Sequence, residues 1–166
     1  MANPIGGAKL TGKIGRLNVG YLGALDESFD VGADNTLVNL VRVKNDVGSG
    51  SSIGAVYTDR SVSTSEYNRV AGADATLQLT DRYTLTLMGA TSFTGDPETG
   101  RERGRMLHAK FEQAGTRFSF NAEVEDTDPE FNTASGFLQR IGETQASSRI
   151  EYNWFGSRGS LVEQVG

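Results

Sequence analysis

Apolar and polar side chains alternate with a period of two in at least seven segments of this chain, each about as long as a tilted strand needs to be to cross a bilayer. The clearest copy sets Phe118, Phe120, Ala122 and Val124 on one side and Ser119, Asn121, Glu123 and Glu125 on the other. Seven such strands in 166 residues make a sheet that must close or pair with something, because each free edge presents unpaired N–H and C=O groups.

The punctuation between the segments supports an up-and-down order. Alternation over residues 8–14 is followed by the dipeptide Gly15-Arg16 and alternation over 17–25, a hairpin pattern. A polar loop over 26–35 leads to 37–47, a glycine-rich tip at Gly48-Ser49-Gly50, and 52–60. After a loop at 61–65 come 71–79, a turn at Thr80-Asp81-Arg82, and a β-branched and aromatic strand from Tyr83 through Leu87. The stretch TGDPETGRERG at 94–104 reads as a long charged loop, and 106–113 and 116–126 as a hairpin about Ala114-Gly115. Alternation weakens after Asp128-Pro129, returns from Arg149 to Trp154, and 161–165 suggests one more strand. Tight turns at one rim and longer loops at the other are the organisation of an antiparallel meander or β-barrel, here all-β with about eight to ten strands. Residues 1–166 read as a single domain of this type.

Composition removes several function classes. A net charge of −5 with no basic stripe argues against nucleic acid as a partner. Without cysteine there is no disulfide, thiolate metal site or Cys nucleophile. No run of about 18 apolar residues offers a membrane helix, which leaves a transmembrane barrel open. The start Met1-Ala2-Asn3-Pro4 lacks the basic and apolar regions of an export signal.

The polar face carries Lys9, Lys13, Asp74, Lys110, Glu112, Glu123, Glu125, Arg149 and Glu151, more charge than a dry interior tolerates. Of these, Lys9, Lys13, Asp74, Lys110, Glu125, Arg149 and Glu151 are the candidate lumen- or ligand-facing residues. The apolar face can meet lipid, or it can form the inside of a soluble barrel of lipocalin type.

Four blocks are more particular than generic alternation: GGAKLTGKIG at 6–15, LVRVKNDVGSGSSIGAVYTDR at 40–60, YNRVAGADATLQL at 67–79 and DPEFNTASGFLQRIG at 128–142. In this order they resemble a family of bacterial outer-membrane β-barrel proteins whose longer members place a sugar-binding-like domain ahead of the barrel. The resemblance implies a transmembrane barrel in the bacterial outer membrane, with membrane lipid as its partner and a structural or transport role. It also implies that this chain is a fragment, since such proteins are much longer and carry an export signal. In the last block, Asp128-Pro129 breaks a strand, Gly136 permits a bend and Phe137 suits a membrane interface.

Catalytic and metal chemistry finds thinner support. His108, the single histidine, shares a face with Lys110 and Glu112, and the turn at Ala114-Gly115 brings Glu123 within reach as an orienting carboxylate. The runner-up function is therefore hydrolysis of an activated ester or phosphoester through His108, Glu112 and Glu123. The simpler reading makes them solvated lumen residues. Glu123, Glu125 and Asp126 supply oxygens for a hard cation, but successive strand residues point to opposite faces, so only Glu123 and Glu125 share a side. No metal site and no cofactor is expected. Residues 96–105 lack the GxxxxGK[ST] pattern of a phosphate loop, and no GxSxG elbow occurs. Tyr152, Trp154 and Phe155 suit an interface girdle or a stacking platform for sugar, and the strand beneath them favours an interface or core role over ligand binding. Two free edges further imply a homo-oligomer, most simply a dimer, for a chain folded outside a membrane.

Overall fold

Chain order and spatial order coincide. The computed structural model describes residues 4–26, 35–134, 142–155 and 164–165, and among these there is no helix. Nine strands pair in sequence: β1 (Pro4–Ile14), β2 (Leu17–Asp26), β3 (Thr36–Asp46), β4 (Ser52–Ser61), β5 (Tyr67–Thr80), β6 (Tyr83–Asp96), β7 (Gly100–Gln113), β8 (Phe118–Thr127) and β9 (Thr144–Tyr152). Every pairing is antiparallel. A separate two-stranded ribbon joins β10 (Trp154–Phe155) to β11 (Gln164–Val165). The fold is an all-β antiparallel meander, and the sheet of nine described strands is open rather than closed into a barrel.

Turn chemistry accounts for the register. Ile14 faces Leu17 across the two-residue loop Gly15-Arg16, and only Gly15 takes a left-handed φ of 61°, the pattern of a II′ turn that matches strand twist. Across β6 and β7 the loop shrinks to Pro97-Glu98-Thr99, closed by Gly100 at φ 91°. Asp96 Oδ1 accepts hydrogen bonds from the amides of Glu98 and Thr99, both at 2.8 Å, and these hold its carboxyl below the ordinary aspartate range.

The expected charged loop at 94–104 is thus corrected. Most of it is strand: Phe93 pairs with Arg103 and Gly95 with Arg101, so β6 and β7 reach 14 residues each. The physical reason is the backbone ladder, which is indifferent to the charge of side chains that point to water. Similarly, β5 starts at Tyr67, ahead of the expected position, and β9 at Thr144. Gly136 and Phe137, most of the loop at 26–35, and residues 161–163 lie outside the described residues.

Because directly paired residues share a face, the ladders carry one side of each strand across the sheet. Lys13, Asn18, Lys44, Gly54, Asp74, Met88, His108 and Glu125 form one continuous row. The residues between belong to the other face, whose rows run through Val41, Tyr57 and Ala71 and through Leu87, Ala109 and Val124. Turns at 15–16, 47–51, 81–82 and 114–117 lie at one rim, called the turn rim. The remaining connections lie at the loop rim.

Across the inner strands exposure follows the faces in an inverted sense, while in the edge strands β1 and β9 both faces are exposed. Along β4, the apolar-face residues Ile53, Ala55 and Tyr57 are exposed, while the polar-face residues Ser52 and Thr58 are buried. On the apolar face Leu10 is 69 % exposed, Ile14 76 %, Leu107 51 % and Ile150 67 %. Among the described residues one buried hydrophobic cluster, Val70, Met106 and Phe131, forms, and it sits on the polar side. It forms where the chain after β8 folds back over the polar ends of β5, β6 and β7.

Candidate functional site

The fold-back runs through residues 128–134. It starts as an extension of the β7–β8 ladder, the Asp128 amide donating to the Arg105 carbonyl at 2.9 Å. It then crosses to the polar face, where Phe131 is 3 % exposed against Val70 and Met106. Three hydrogen bonds tie it down. The Asn132 amide donates to Ser92 Oγ at 3.1 Å, the Ala134 amide to Asn68 Oδ1 at 2.9 Å, and Asn68 Nδ2 to the Asn132 carbonyl at 3.0 Å. Asn68 and Ser92 are buried polar residues within strands, and this segment satisfies them. Gly104 is the floor beneath it: a Cβ there would lie 2.1 Å from the Phe131 nitrogen.

Below this pad the polar face carries paired charges. Arg42 on β3 and Asp74 on β5 reach across β4 over Gly54, a position where any side chain would strike the guanidinium. His108 Nε2 and Glu123 Oε1 are 2.9 Å apart, and Lys110 Nζ and Glu112 Oε1 also 2.9 Å. Lys13 and Asp46 approach to 3.4 Å at the turn rim.

Of the residues singled out from sequence, His108 and Glu123 meet. The bond is diagonal, since the residue directly opposite His108 is Glu125. Glu112 does not join them; it pairs with Lys110 and faces Asn121. Asp74 finds Arg42, which sequence reasoning had not singled out. Lys9, Glu125, Arg149 and Glu151 lie on the same face, and Arg149 pairs across the ladder with Asn121. A base with an orienting carboxylate is present, but among the described residues no hydroxyl is hydrogen-bonded to the His108 ring. Likewise, among the described residues no three acidic or histidine side chains are grouped to hold a metal ion.

The apolar face has a different character. An open trough of 820 Å³ runs over β4 to β8, its floor made by Ala73, Ala75, Gly89 and Ala109 and its walls by Ile53, Leu87, Leu107 and Val124. Aromatic residues mark both ends of the apolar rows: Tyr83, Phe118 and Tyr152 toward the turn rim, Tyr67 and Phe93 toward the loop rim. Charge returns on this face only near the loop rim. There Arg69 pairs with Asp59 at 2.9 Å and Arg105 with Asp128 at 3.4 Å. Sequence reasoning weighed 96–105 only as a phosphate loop and 128–142 only as a strand break and bend, and so missed the anchoring of 128–134 on the polar face and the alignment of the arginines on the apolar one. The alternate spacing of Arg101, Arg103 and Arg105 was the available signal for the second.

No protein-family model matches the chain, and no curated protein or solved structure is similar to it.

Proposed function

We infer that this chain is wall of a bacterial outer-membrane β-barrel, with the apolar face toward lipid and the polar face toward the lumen, in a structural or transport role without catalysis of its own. One observation carries the reading: across β3 to β8 the large hydrophobic side chains of the apolar face are exposed or half-buried, whereas the buried side chains, such as Thr58, Asn68, Val70, Ser92 and Met106, belong to the polar face or, like Phe131, to the segment covering it. In water that arrangement leaves a large apolar surface uncovered, which soluble monomers avoid. Against hydrocarbon it is the expected alternation.

The dimensions agree. On β6 the apolar row runs from Tyr83 to Phe93. The ten steps between them span about 34 Å, and a tilt of about 40° brings the height to roughly 26 Å, against about 25 Å for the apolar band of such barrels. The segment at 128–134 is then an inward-folded loop that narrows the lumen at the loop rim. The resemblance of the four sequence blocks to outer-membrane barrels supports the same reading.

The test uses the absence of native cysteine. Single cysteines at Thr84, Leu85, Thr86 and Leu87, each carrying an environment-sensitive fluorophore, are read in vesicles. Labels at Leu85 and Leu87 should be quenched by lipid-borne nitroxide, and those at Thr84 and Thr86 by a water-soluble quencher. Quenching without a two-residue period, or with the phases reversed, refutes the reading.

A further inference from the structure

We propose that the loop-rim end of the apolar face binds the phosphate-bearing headgroup of a membrane lipid, with Arg101 and Arg103 as its principal ligands and Arg69 beside them. The proposal rests on the lipid-facing reading above and adds to it a specific headgroup chemistry.

Arg101, Arg103 and Arg105 occupy alternate positions of β7, so all three project from the apolar face, with Glu102 on the opposite one. The ladder row through Arg103 continues to Phe93 and Arg69, and the row through Arg101 to Gly95 and Tyr67. The four arginines therefore surround two aromatic rings. The Arg69 guanidinium lies 4.5 Å from the Tyr67 ring centre and that of Arg103 5.4 Å from the Phe93 ring centre, contacts that hold the forks above the apolar rows.

Charge is unevenly satisfied in this group. Asp59 holds Arg69 and Asp128 holds Arg105, while Arg101 and Arg103 have no acidic partner among the described residues and are exposed. The remaining acid nearby on this face, Asp126, accepts from Thr144 Oγ1 at 2.6 Å. Other cations also lack an acidic partner among the described residues, but Lys9, Arg60 and Arg149 lie on the polar face and Arg16, Arg82 and Arg117 in turns, so Arg101 and Arg103 are the unpaired strand cations of the apolar face, where none of the four lysines lies. The residue type also matters: a guanidinium offers a planar fork to phosphate, which a lysine ammonium does not. Toward the turn rim β7 continues on this face with Leu107, Ala109 and Phe111, so a headgroup on the arginines leaves its acyl chains along an apolar surface. Free phosphate would use the guanidinium forks but not those rows, and this favours the lipid.

The chain is reconstituted with vesicles of phosphatidylcholine alone or doped with phosphatidic acid, and partitioning is measured for the native chain and for Arg101→Gln/Arg103→Gln. Each arginine near a charged bilayer surface is worth about fivefold in partitioning, so the double variant should lose about 25-fold toward the doped vesicles. Its insertion into neutral vesicles should not change. Lys9→Gln/Lys13→Gln removes equal charge from the polar face and should leave the preference intact; an equal loss there would reduce the effect to overall charge and overturn the proposal. Native-like partitioning of the arginine variant overturns it while leaving the lipid-facing reading in place. Failure of the native chain to insert into either membrane overturns both. Inorganic phosphate bound in neutral vesicles and lost in the arginine variant, with no preference for phosphatidic acid, would mark a free-anion site and overturn the lipid assignment.

Discussion

Gly104→Ala is the sharpest probe of the segment folded over the polar face. The added Cβ would lie 2.1 Å from the Phe131 nitrogen, 2.3 Å from its Cα and 2.5 Å from the Glu130 carbonyl carbon, all backbone atoms that cannot swing aside. The φ of Gly104 is not left-handed, so alanine suits the strand and the whole effect is collision. If the segment lifts, the protein loses the burial of the Phe131 ring, about 2–3 kcal/mol, and three hydrogen bonds at about 1 kcal/mol each. Residues 131–134 regain roughly 1 kcal/mol apiece of backbone freedom. The net cost is about 1–2 kcal/mol, within the range of overpacking substitutions. Hydrogen exchange locates it. Protection of the Asn132 and Ala134 amides, which donate to Ser92 and Asn68, should fall by about tenfold, with β5 and β6 amides unchanged. Gly12→Ala, whose Cβ meets nothing within 4 Å, should leave protection as it was. Full protection at Asn132 and Ala134 in Gly104→Ala would refute the placement of the segment on β7.

Three other outcomes follow from the faces and the turns. Phe120→Asp puts a charge on the apolar face and removes the ring packed 6.4 Å from Phe111, costing about 2 kcal/mol in a denaturant titration in lipid, whereas Asn121→Asp on the wet face should stay within about 0.5 kcal/mol; equal costs would mean the faces are misassigned. Asp96, its folded-state carboxyl held below the ordinary 3.8, stabilises its turn above that value and loses the contribution as pH falls through the lower folded one. Asp96→Asn should therefore flatten the acid limb of stability below pH 3.8, and an unchanged limb would contradict the turn. His108→Ala should cost about 1 kcal/mol for the lost hydrogen bond, Glu123→Gln less because its amide still bonds the ring, and neither should alter ester hydrolysis; turnover present in the native chain and lost in His108→Ala would revive the hydrolase reading.

The strands were legible because each carries one apolar and one polar side, and the hairpins because Gly15 and the Gly48-Ser49-Gly50 tip announce turns. Two features were not. TGDPETGRERG has the composition of a loop, and its alternation of arginine with glycine and glutamate is a period-two signal written in charge rather than hydrophobicity. Only the pairing of Phe93 with Arg103 reveals it as strand. The segment at 128–134 is anchored by Asn68 and Ser92, 64 and 40 positions from Asn132, which a local pattern cannot register. At the polar face the encounter of His108 with Glu123 was foreseeable, because one turn joins their strands. That of Arg42 with Asp74 skips a strand and depends on the bare backbone at Gly54.

The parity of the meander limits how its edges can be satisfied. In an antiparallel meander β1 and β9 run in the same direction, so closing nine strands on themselves would need a parallel β1–β9 seam. Two copies set side by side in one orientation meet β9 to β1 and create the same parallel seam. A twofold axis perpendicular to the strands places β1 against β1 of the second copy and β9 against β9, which makes antiparallel pairs at both edges. That arrangement points the two loop rims in opposite directions, so each arginine group would face a different leaflet and the dimer cannot serve a membrane with sides. We propose it for the chain outside a membrane, where Leu10, Ile14 and Ile150 on the edge strands are otherwise left to water. A cysteine introduced at Leu10, near the middle of β1, should then cross-link two copies through a short thiol bridge. Light scattering that finds a monodisperse 17.8 kDa species without detergent would defeat the pairing.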